Sequence, residues 1–354
     1  MKNSFIPFGK PYIGNEEIKF ITKVIKSKWI GSGPITEKFE KKFKNYKKSR
    51  YALSVNSCTA ALHLSLIYCG IGYNDEVITT PMTFASTINS IILSGAKPVL
   101  ADIDPNNFNI DPKQIEKKIT KRTKAILIVH LAGLPCDMTS IMKIVKKYKL
   151  KLIEDCAHSI ESKYHNKHVG NFGDTGCFSF YTTKNLTTGE GGMIICNKDS
   201  IYKKIRVARL HGLSKDAWKR YLPESVKTPI KFQHYDVTEI GLKYNMIDIN
   251  AAMGLVQLKK LENSWKKRKK IFELYKKKVV SLPIKTQNFV GKGIKHAYHL
   301  FLIVLDKNKT KKKRDDLILF LKKNNIGCGV NYRSVTDMSI FKKKFGWNIN
   351  TCKN

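Results

Sequence analysis

The chain has 354 residues, with a hydrophobic share of 42% and an aromatic share of 10%, which exclude a disordered or low-complexity protein. At roughly 150 residues per domain, this length predicts one large and one smaller domain with a full hydrophobic core. Lys and Arg total 65 against 28 Asp and Glu, giving a net charge of +37 that makes nucleic acid the first partner to consider. The lysines are spread as short runs over predicted helices, without a basic tail or zinc-finger spacing, which favours solvated helix faces instead.

The spacing of the cysteines does not indicate a metal site, and the apolar segments do not indicate a membrane-spanning helix. None of the eight cysteines forms a C-x-x-C pair, and several lie in apolar runs, so we expect reduced thiols, no metal and a cytoplasmic protein. Residues 51–74 lack charged side chains and are long enough to span a bilayer, but they contain asparagines, glycines and a histidine. The N-terminal segment MKNSFIPFGKP lacks the apolar core of a signal peptide.

Apolar periodicity predicts alternating strands and helices. A first amphipathic helix is expected over residues 15–28 and is followed by the GSGP turn and a second helix. Later strands are predicted over 51–55, 75–79, 97–103, 125–130 and 151–155, and helices from 56 onward and near 83–94, 111–119 and 137–149. Repeated strand–helix–strand units predict an α/β fold, with a parallel sheet between two layers of helices.

The pattern changes after residue 176. Two strands joined by a glycine-rich turn are expected over 176–183 and 191–196, and the weakly periodic segment 214–240 is interpreted as a functional flap. A long helix is expected over 248–279, before a smaller α+β unit. We therefore divide the chain into residues 1–245, an N-terminal arm and large domain, and residues 246–354, a linking helix and small domain.

Two short motifs follow predicted strands. Asn56-Ser57-Cys58-Thr59 precedes a helix, where hydroxyls and free N–H groups can bind an anion, although for the motif taken alone an ordinary N-cap is the favoured explanation. In IEDCAH (153–158), Asp155 ends a strand at the edge where α/β folds bind ligands. The alternative is a helix-capping acid beside a structural histidine.

Lys184 differs from the surface lysines because it follows the apolar stretch 177–181 and precedes a glycine-rich turn. An enclosed amine loses proton affinity and becomes a nucleophile, whereas a solvated loop lysine is the alternative. In GLKYNMIDINAA, Asn245 lies in a loop before the long helix, and Asp248 is expected to cap that helix.

Together these motifs resemble the DegT/StrS family of nucleotide-sugar aminotransferases, enzymes of the aspartate-aminotransferase fold type that use pyridoxal phosphate (PLP). The resemblance runs nearly end to end and rests on GSGP (31–34), NSCTAALHLSL (56–66), DEVITTPMTFAST (75–87), GAKPVLADID (95–104), TKAILIVHLAGLPCDM (123–138), IEDCAHSI (153–160), VGNFGDTGCFSFYTTKNLTTGEGG (169–192) and RLHG (209–212). It implies PLP fold type I, with a mostly parallel seven-stranded sheet between helices and a smaller C-terminal α+β domain. Family chains usually continue past FGWNIN, whereas this chain stops at Asn354, so a shortened small domain is expected.

The resemblance also implies the residues that surround the cofactor ring. Lys184 would bind PLP covalently, and Asp155 would pair with the pyridine nitrogen. His158 would lie near the ring hydroxyl, with the ring held between Phe84 and Ala157. Lys184, Asp155 and His158 are therefore the expected catalytic residues.

For the cofactor phosphate, the resemblance implies a cradle at the start of a helix. Ser57, the Cys58 backbone and Ser179 would bind the phosphate, with Thr59 beside them. Asn245 would reach the same phosphate from a partner subunit, which implies a homodimer with shared active sites.

The implied reaction moves an amino group from L-glutamate to C4 of a UDP-linked 4-keto-sugar, while PLP cycles with pyridoxamine phosphate (PMP). The product would be a 4-amino-4-deoxy or 4-amino-4,6-dideoxy sugar nucleotide such as UDP-viosamine. Flap residues Lys219, Arg220, Lys227 and Lys231 could help to hold the diphosphate. The alternatives are a 3-aminotransferase of a dTDP-3-keto-sugar, a dehydratase with histidine in place of Lys184, a silent regulator, and a basic nucleic-acid-binding protein.

Overall fold

The computed structural model describes residues 4–214, 235–288 and 291–352. The helices are α1 (Asn15–Lys26), α2 (Pro34–Lys47), α3 (Cys58–Tyr68), α4 (Ala85–Leu93), α5 (Pro112–Lys117), α6 (Met138–Tyr148), α7 (Asp199–Ala208), α8 (Asp248–Lys278), α9 (Arg314–Lys323) and α10 (Ser339–Phe345). The strands are β1 (Tyr51–Val55), β2 (Glu76–Thr79), β3 (Lys97–Leu100), β4 (Thr123–Val129), β5 (Lys151–Asp155), β6 (Lys163–Tyr164), β7 (Lys167–His168), β8 (Thr175–Ser179), β9 (Gly192–Cys196), β10 (Ile284–Thr286), β11 (Ile294–Lys295) and β12 (Ile303–Leu305).

The main sheet has seven strands in the order β1-β9-β8-β5-β4-β2-β3. Pairings from β3 across to β8 are parallel, whereas β9 runs antiparallel to both β8 and β1. Strands β1 and β8 therefore point the same way as β5 and end at the same edge of the sheet. The α/β fold with a mostly parallel seven-stranded sheet is confirmed.

Helices cover both faces of this sheet because its strands alternate between two apolar cores. On one face, α3 and α7 pack on the sheet, and residues 60–66 of α3 are all buried. On the other face, the aromatic side chains of Phe39 and Phe43 in α2 meet Phe178 and Phe180 with ring centroids 5.2–5.5 Å apart. Within the described residues, no helix combines the length and apolarity needed to cross a bilayer.

The C-terminal part of the chain contains only short strands outside the main sheet. Strands β10 and β12 form a two-stranded antiparallel sheet, while β11 pairs with β6 of the large domain. The apolar run 299–305 contributes only three residues to a strand, because Leu300 and Leu302 pack on a core around Phe108 instead. The N-terminal arm joins this region, since Ile6 donates to the Asn325 carbonyl at 2.8 Å and accepts from Gly327 N–H at 2.7 Å. The domain boundary at residues 245 and 246 stays a prediction.

Asp248 was expected to cap its own helix, and that expectation is wrong. The carboxylate lies 1% exposed at the start of α8 and accepts hydrogen bonds from N–H groups of Gly33, Ile35 and Thr36 at 2.8–3.2 Å. The Thr36 hydroxyl adds a fourth bond at 2.5 Å. These donors are the first turn of α2, so a residue more than two hundred positions later caps that helix and fixes α8 against it.

We expect Asp248→Ala to lower the free energy of unfolding by about 3 kcal/mol, since it leaves several buried donors unpaired. Asp111→Ala is the matched control, because Asp111 caps the short helix α5 through one N–H, that of Lys113. Its expected loss is about 1 kcal/mol, measured like the first by urea unfolding followed by circular dichroism. Equal losses in the two variants would contradict this account of Asp248.

Candidate active site

The predicted site residues meet at the carboxyl edge of the sheet. Strands β1, β5 and β8 end there at Val55, Asp155 and Ser179, and the helix cap at Ser57 and the turn carrying Lys184 follow directly. Asp155 and Cys58 both raise the pKa of the Lys184 amine through their charges, as groups that share this edge would. The structure therefore brings a lysine, a carboxylate and a helix N-terminus into one site.

Asp155 is a buried carboxylate, 5% exposed, that lacks a cation in hydrogen-bond contact among the described residues. Its Oδ1 accepts from the Ala157 N–H at 3.0 Å, and its Oδ2 accepts from the Thr87 hydroxyl at 3.2 Å. Thr87 is itself 2.7 Å from the Thr83 hydroxyl. Burial raises the pKa of Asp155, against the opposing effects of the Ala157 N–H and the Lys184 charge. A cation beside this carboxylate would offset the cost of its burial.

The neighbouring acid, Glu154, points to the opposite side of β5, as alternation along a strand requires. It is fully buried and accepts N–H groups of Gly170, Phe172 and Gly173, each at 2.7 Å. Burial raises the pKa of Glu154, but the His130 hydrogen bond and these N–H donors outweigh burial and hold it below its usual value. Glu154 is thus a structural carboxylate, whereas Asp155 faces the site.

His130, Glu154 and Cys156 form a buried group with metal-ligand chemistry, their donor atoms lying within 4.8 Å of one another. The Nδ1 of His130 accepts the Cys136 N–H at 3.0 Å, so its proton is on Nε2 and is donated to Glu154 at 3.1 Å. A metal ion would have to displace that proton and the donors on Glu154. The group is explained as a hydrogen-bonded scaffold behind β5.

Lys184 is partly buried in the turn after β8, where its backbone N–H donates to the Tyr181 carbonyl at 2.9 Å. Burial lowers the pKa of the Lys184 amine, and the nearby Cys58 and Asp155 act in the opposite direction. No hydrogen-bond acceptor contacts the amine within residues 4–214, 235–288 and 291–352. The lysine is therefore both enclosed and free to react.

His158 is buried, and both of its ring nitrogens are hydrogen bonded. Its Nδ1 accepts the Ala132 N–H at 3.2 Å, so the proton lies on Nε2 and is donated to the Tyr332 hydroxyl at 2.9 Å. Burial lowers the pKa of His158 well below its usual value, and the Lys184 and His299 charges add to this. A neutral imidazole thus joins the end of β5 to the C-terminal part of the chain.

Ser57 and Ser179 lie on either side of Gly192, which pairs with Val55 on one strand and with Ser179 on the other. The Ser57 hydroxyl accepts the Ala60 N–H at 3.1 Å, so the capping alternative is correct for its side chain. Cys58 and Thr59, at the start of α3, are partly buried residues whose N–H groups belong to the first turn of the helix. These hydroxyls and N–H groups form a concave cradle suited to a phosphate.

Gly192 determines the shape of this cradle because there is no room for a side chain. A Cβ there would lie 2.7 Å from the Ser57 carbonyl carbon and oxygen and 2.8 Å from the Phe178 carbonyl oxygen. We expect Gly192→Ala to displace the first turn of α3 and to weaken PLP binding by roughly tenfold or more, measured by absorbance titration. Gly31→Ala, which meets nothing within 4 Å, is the control and should bind PLP normally.

Three other predicted residues lie near the same edge of the sheet. Phe84 precedes α4 and is 60% exposed, and its ring centroid lies 5.9 Å from that of Tyr332. Ala157 is fixed to Asp155 by its backbone N–H, which donates to the carboxylate. Asn245 forms a backbone bridge with Val55 of its own chain and donates to Ser32 at 2.5 Å, and its buried Oδ1 has no hydrogen-bond partner within the described residues. The flap residues proposed for the diphosphate, Lys219, Arg220, Lys227 and Lys231, lie outside the described residues.

Sequence reasoning did not identify Thr87, Asn185, His299 and Tyr332 as site residues. Thr87 follows Thr83 by one helical turn within the motif already noted, and this i, i+4 pair of hydroxyls was a usable signal. Asn185 adjoins Lys184. His299 and Tyr332 come from the C-terminal part, and no spacing in the sequence connects them to Lys184.

These groups fit the chemistry of PLP. The PLP aldehyde requires an enclosed amine, which Lys184 provides. The ring nitrogen requires a buried carboxylate, which Asp155 provides. The phosphate requires a helix N-terminus with hydroxyls, which the cradle of Ser57 and Ser179 provides at the same edge of the sheet.

Comparisons with known proteins agree with this geometry. A sequence profile of the DegT/DnrJ/EryC1/StrS aminotransferase family matches residues 11–354. The spore coat polysaccharide biosynthesis protein SpsC of Bacillus subtilis is 42% identical over 347 residues, covering 98% of this chain and 88% of SpsC.

Solved structures give the same result. Spr1654 of Streptococcus pneumoniae, described as a sugar aminotransferase, matches in its PMP form with a TM-score of 0.88 and 30% identity, over 96% of this chain and 88% of that chain. Its PLP form matches with a TM-score of 0.87. PseC of Helicobacter pylori, an aminotransferase involved in the biosynthesis of pseudoaminic acid, matches with a TM-score of 0.88 and 30% identity, over 99% and 91% of the two chains. The chain therefore belongs to the DegT/DnrJ/EryC1/StrS aminotransferase family and is a PLP-dependent transaminase.

Proposed function

We propose that this transaminase moves an amino group from L-glutamate to C4 of a UDP-linked 4-keto-sugar, giving a 4-amino sugar nucleotide. The observation that carries the transamination is the enclosed, unpartnered Lys184 amine beside the buried Asp155 carboxylate. The sugar class is supported by SpsC and PseC, whose names place them in polysaccharide and pseudoaminic acid biosynthesis. The position C4 and the UDP group rest on the resemblance of IEDCAH and GLKYNMIDINAA to 4-aminotransferases.

Each site residue has a role that its surroundings support. PLP, when bound, supplies an electron sink for negative charge at the substrate α-carbon. Lys184 provides the nucleophilic amine and, once released, would take the proton from the α-carbon of the amino donor as a general base and deliver it to C4′ of the cofactor as a general acid. Asp155 presents its carboxylate to the protonated ring nitrogen, and a contact of this kind favours the charged forms by about 1–3 pKa units.

The remaining roles are binding and orientation. Ser57, Ser179 and the Cys58 N–H hold the phosphate at the start of α3, and Phe84 and Ala157 enclose the ring. His158 stays neutral because burial keeps its pKa low. His158 donates its Nε2–H to the Tyr332 hydroxyl, so it can donate to the ring hydroxyl of PLP only by giving up that hydrogen bond.

The substrate assignment is tested by supplying the purified enzyme with L-glutamate and one of three keto-sugars, and measuring 2-oxoglutarate and the amino-sugar product. The panel contains a UDP-4-keto-6-deoxyhexose, a UDP-4-keto-pentose and a dTDP-3-keto-6-deoxyhexose. We expect turnover with a UDP-4-keto-sugar. Turnover of the dTDP-3-keto-sugar alone would establish the alternative 3-aminotransferase, and exchange of glutamate for other amino donors tests the donor separately.

The proposal includes a cytoplasmic homodimer with shared sites. All eight cysteines are free, as a reducing compartment requires. Large apolar side chains are exposed just before Asn245, with Val237 at 59% and Ile240 at 97%, and on α1, with Ile18 at 58%. Such exposed apolar groups mark surfaces for subunit contact. The buried, unpartnered Oδ1 of Asn245 lies next to this segment.

Hybrid complementation tests whether Asn245 acts across subunits. Lys184→Ala and Asn245→Ala are each expected to be impaired, but a mixed dimer has one intact site only if Asn245 serves the partner's lysine. Co-expression with two different affinity tags isolates this hybrid. Activity above that of either parent supports sharing, and a hybrid no better than its parents would show that Asn245 serves its own chain.

A further inference from the structure

The Asp155 carboxylate is held by two hydrogen-bond donors that come from different parts of the chain. Its Oδ1 accepts from the Ala157 N–H at 3.0 Å, only two residues further along the same segment. Its Oδ2 accepts from the Thr87 hydroxyl at 3.2 Å, which lies in the first turn of α4. The last side-chain torsion of an aspartate has a broad energy minimum, so a single hydrogen bond leaves the carboxylate able to turn. Thr87 supplies the second bond, which fixes its plane.

The hydrogen bonds of Thr87 have a defined direction. An ionised Asp155 can only accept, so the single hydroxyl proton of Thr87 is directed at Oδ2. The Thr87 oxygen also lies 2.7 Å from the Thr83 hydroxyl, and because the Thr87 proton is already used, Thr83 must be the donor in that pair. The two hydroxyls therefore form a chain of hydrogen bonds that runs toward the carboxylate, and each bond polarises the next.

Burial increases the importance of this chain. Thr83, Thr87 and Asp155 are all buried, and a hydrogen bond is electrostatically stronger there than in water. A threonine in a helix commonly directs its hydroxyl to the carbonyl four residues earlier, whereas Thr87 uses its proton on the carboxylate. Burial raises the pKa of Asp155, and the Thr87 hydrogen bond is among the contacts that oppose this effect.

The turn that carries Thr87 also carries Phe84, the aromatic residue expected beside the cofactor ring. Phe84 immediately precedes α4, and its carbonyl accepts the backbone N–H of Thr87 at 3.2 Å. This bond joins the two residues within one turn. The same short segment therefore presents an aromatic ring to the site and holds the carboxylate.

We propose that Thr87 is a positioning residue for Asp155: its hydroxyl, supported by Thr83, holds the carboxylate in one orientation, in which it pairs with the protonated ring nitrogen of PLP. This inference rests on the proposed role of Asp155 as the partner of that nitrogen. A carboxylate that is already oriented does not have to reorganise when the cofactor binds or when charge develops during the reaction. Thr87 acts through Asp155 and needs no contact with the substrate.

The test uses substitutions that remove one hydroxyl and little else. Thr87→Val replaces the hydroxyl by a methyl group of similar size, whereas Thr87→Ser keeps the hydroxyl and loses the methyl group. Thr79→Val is the matched control, because Thr79 is also fully buried but donates to the Leu127 carbonyl at 2.8 Å, within the sheet. Asp155→Asn, alone and combined with Thr87→Val, completes the set.

The first measurement is the affinity for PLP, obtained by absorbance titration of the cofactor-free protein. We expect Thr87→Val to weaken binding roughly tenfold, since it removes a hydrogen bond to a charged group, and Thr87→Ser and Thr79→Val to bind within about twofold of the wild type. In the Asp155→Asn background, Thr87→Val should have almost no further effect, because its action passes through the carboxylate. An equal loss in both backgrounds, or a serine variant as weak as the valine variant, would overturn the proposal.

The second measurement reports on the ring nitrogen itself. PLP labelled with nitrogen-15 at that atom gives an NMR resonance whose position depends on protonation. A carboxylate without the Thr87 hydrogen bond is more basic, so the resonance should move toward that of the unprotonated ring in Thr87→Val but not in Thr79→Val. A resonance unchanged in Thr87→Val would contradict a positioning role.

Two further comparisons keep the proposal open to refutation. If Thr87→Val fails to fold, Thr87→Ala replaces it and is compared with Thr87→Ser, from which it differs only by the hydroxyl. Equal PLP affinities in those two variants would then overturn the proposal. An Asp155→Asn variant that binds PLP and reacts like the wild type would instead refute the proposed role of Asp155, so the two proposals can fail separately.

Discussion

Lys184→Ala is expected to reduce transamination to less than about one-thousandth of the wild-type rate, since proton transfer by a positioned side chain alone contributes about 10²–10⁴-fold. The variant also loses the covalent attachment point of PLP. Burial lowers the pKa of the Lys184 amine, which increases the neutral, nucleophilic share at physiological pH compared with a surface lysine. Single-turnover absorbance after mixing with glutamate measures the loss directly.

Two controls distinguish a chemical loss from a structural one. Lys184→Arg keeps a positive charge beside Asp155 but supplies no usable nucleophile, so it should be as inactive as the alanine variant. Lys198→Ala removes an exposed lysine that binds Asp174 at 2.5 Å, and it should remain active. Both Lys184 variants should still bind PLP through the phosphate cradle. An alanine variant that keeps more than a few per cent of activity would contradict the assignment of Lys184.

The large domain was predictable because its signals are local. Strand β1 occupies Tyr51–Val55 and β5 occupies Lys151–Asp155, as the apolar runs predicted, and the glycine-rich turn separates β8 from β9. Asp155 was identified because a polar residue at the end of a buried strand faces the ligand edge of an α/β sheet. Helix α7 was not predicted, although Ile201, Ile205 and Ala208 recur at a helical period and lie on one buried face.

The parts that could not be predicted depend on contacts between distant segments. His299 reaches Asn185 and Tyr332 reaches His158 only after the chain has folded back over more than a hundred residues. The cap formed by Asp248 illustrates the same limit, since a local rule assigned it to its own helix while tertiary packing directed it to α2. Composition and periodicity describe each element, but not the pairs of side chains that the assembled elements bring together.

Acidification below about pH 6.5 is expected to destabilise the protein steeply, because five buried or partly buried histidines are held in their neutral form. Burial is the main cause in each case. It lowers the pKa of His168 to about 2 and that of His296 to about 3. Burial also holds the pKa values of His158 and the partly buried His299 well below the usual range, and it lowers the pKa of His63.

The sign follows from comparing the two states. Below about pH 6.5 the unfolded chain takes up protons on these histidines while the folded chain does not, so acidification favours unfolding. Each histidine contributes up to about 1.4 kcal/mol per pH unit until its folded pKa is reached. Asp155 and Glu161 act in the opposite direction, because burial raises the pKa of each carboxyl and the folded state then binds protons first. Five histidines against two acids leave a net loss of stability on acidification.

The measurement is urea unfolding at several pH values between about 7.5 and 5.5, where total stabilities of about 5–15 kcal/mol make the expected change large. His168→Gln is the matched variant, since it removes one of the five groups, whose buried Nδ1 has no hydrogen-bond partner among the residues that the structure describes. As the pH is lowered, the free energy of unfolding of this variant should fall less steeply than that of the wild type, by about 1.4 kcal/mol per pH unit. This difference in slope is expected whatever the stability of the variant at neutral pH. A flat profile in the wild type would show that these histidines are protonated in the folded state.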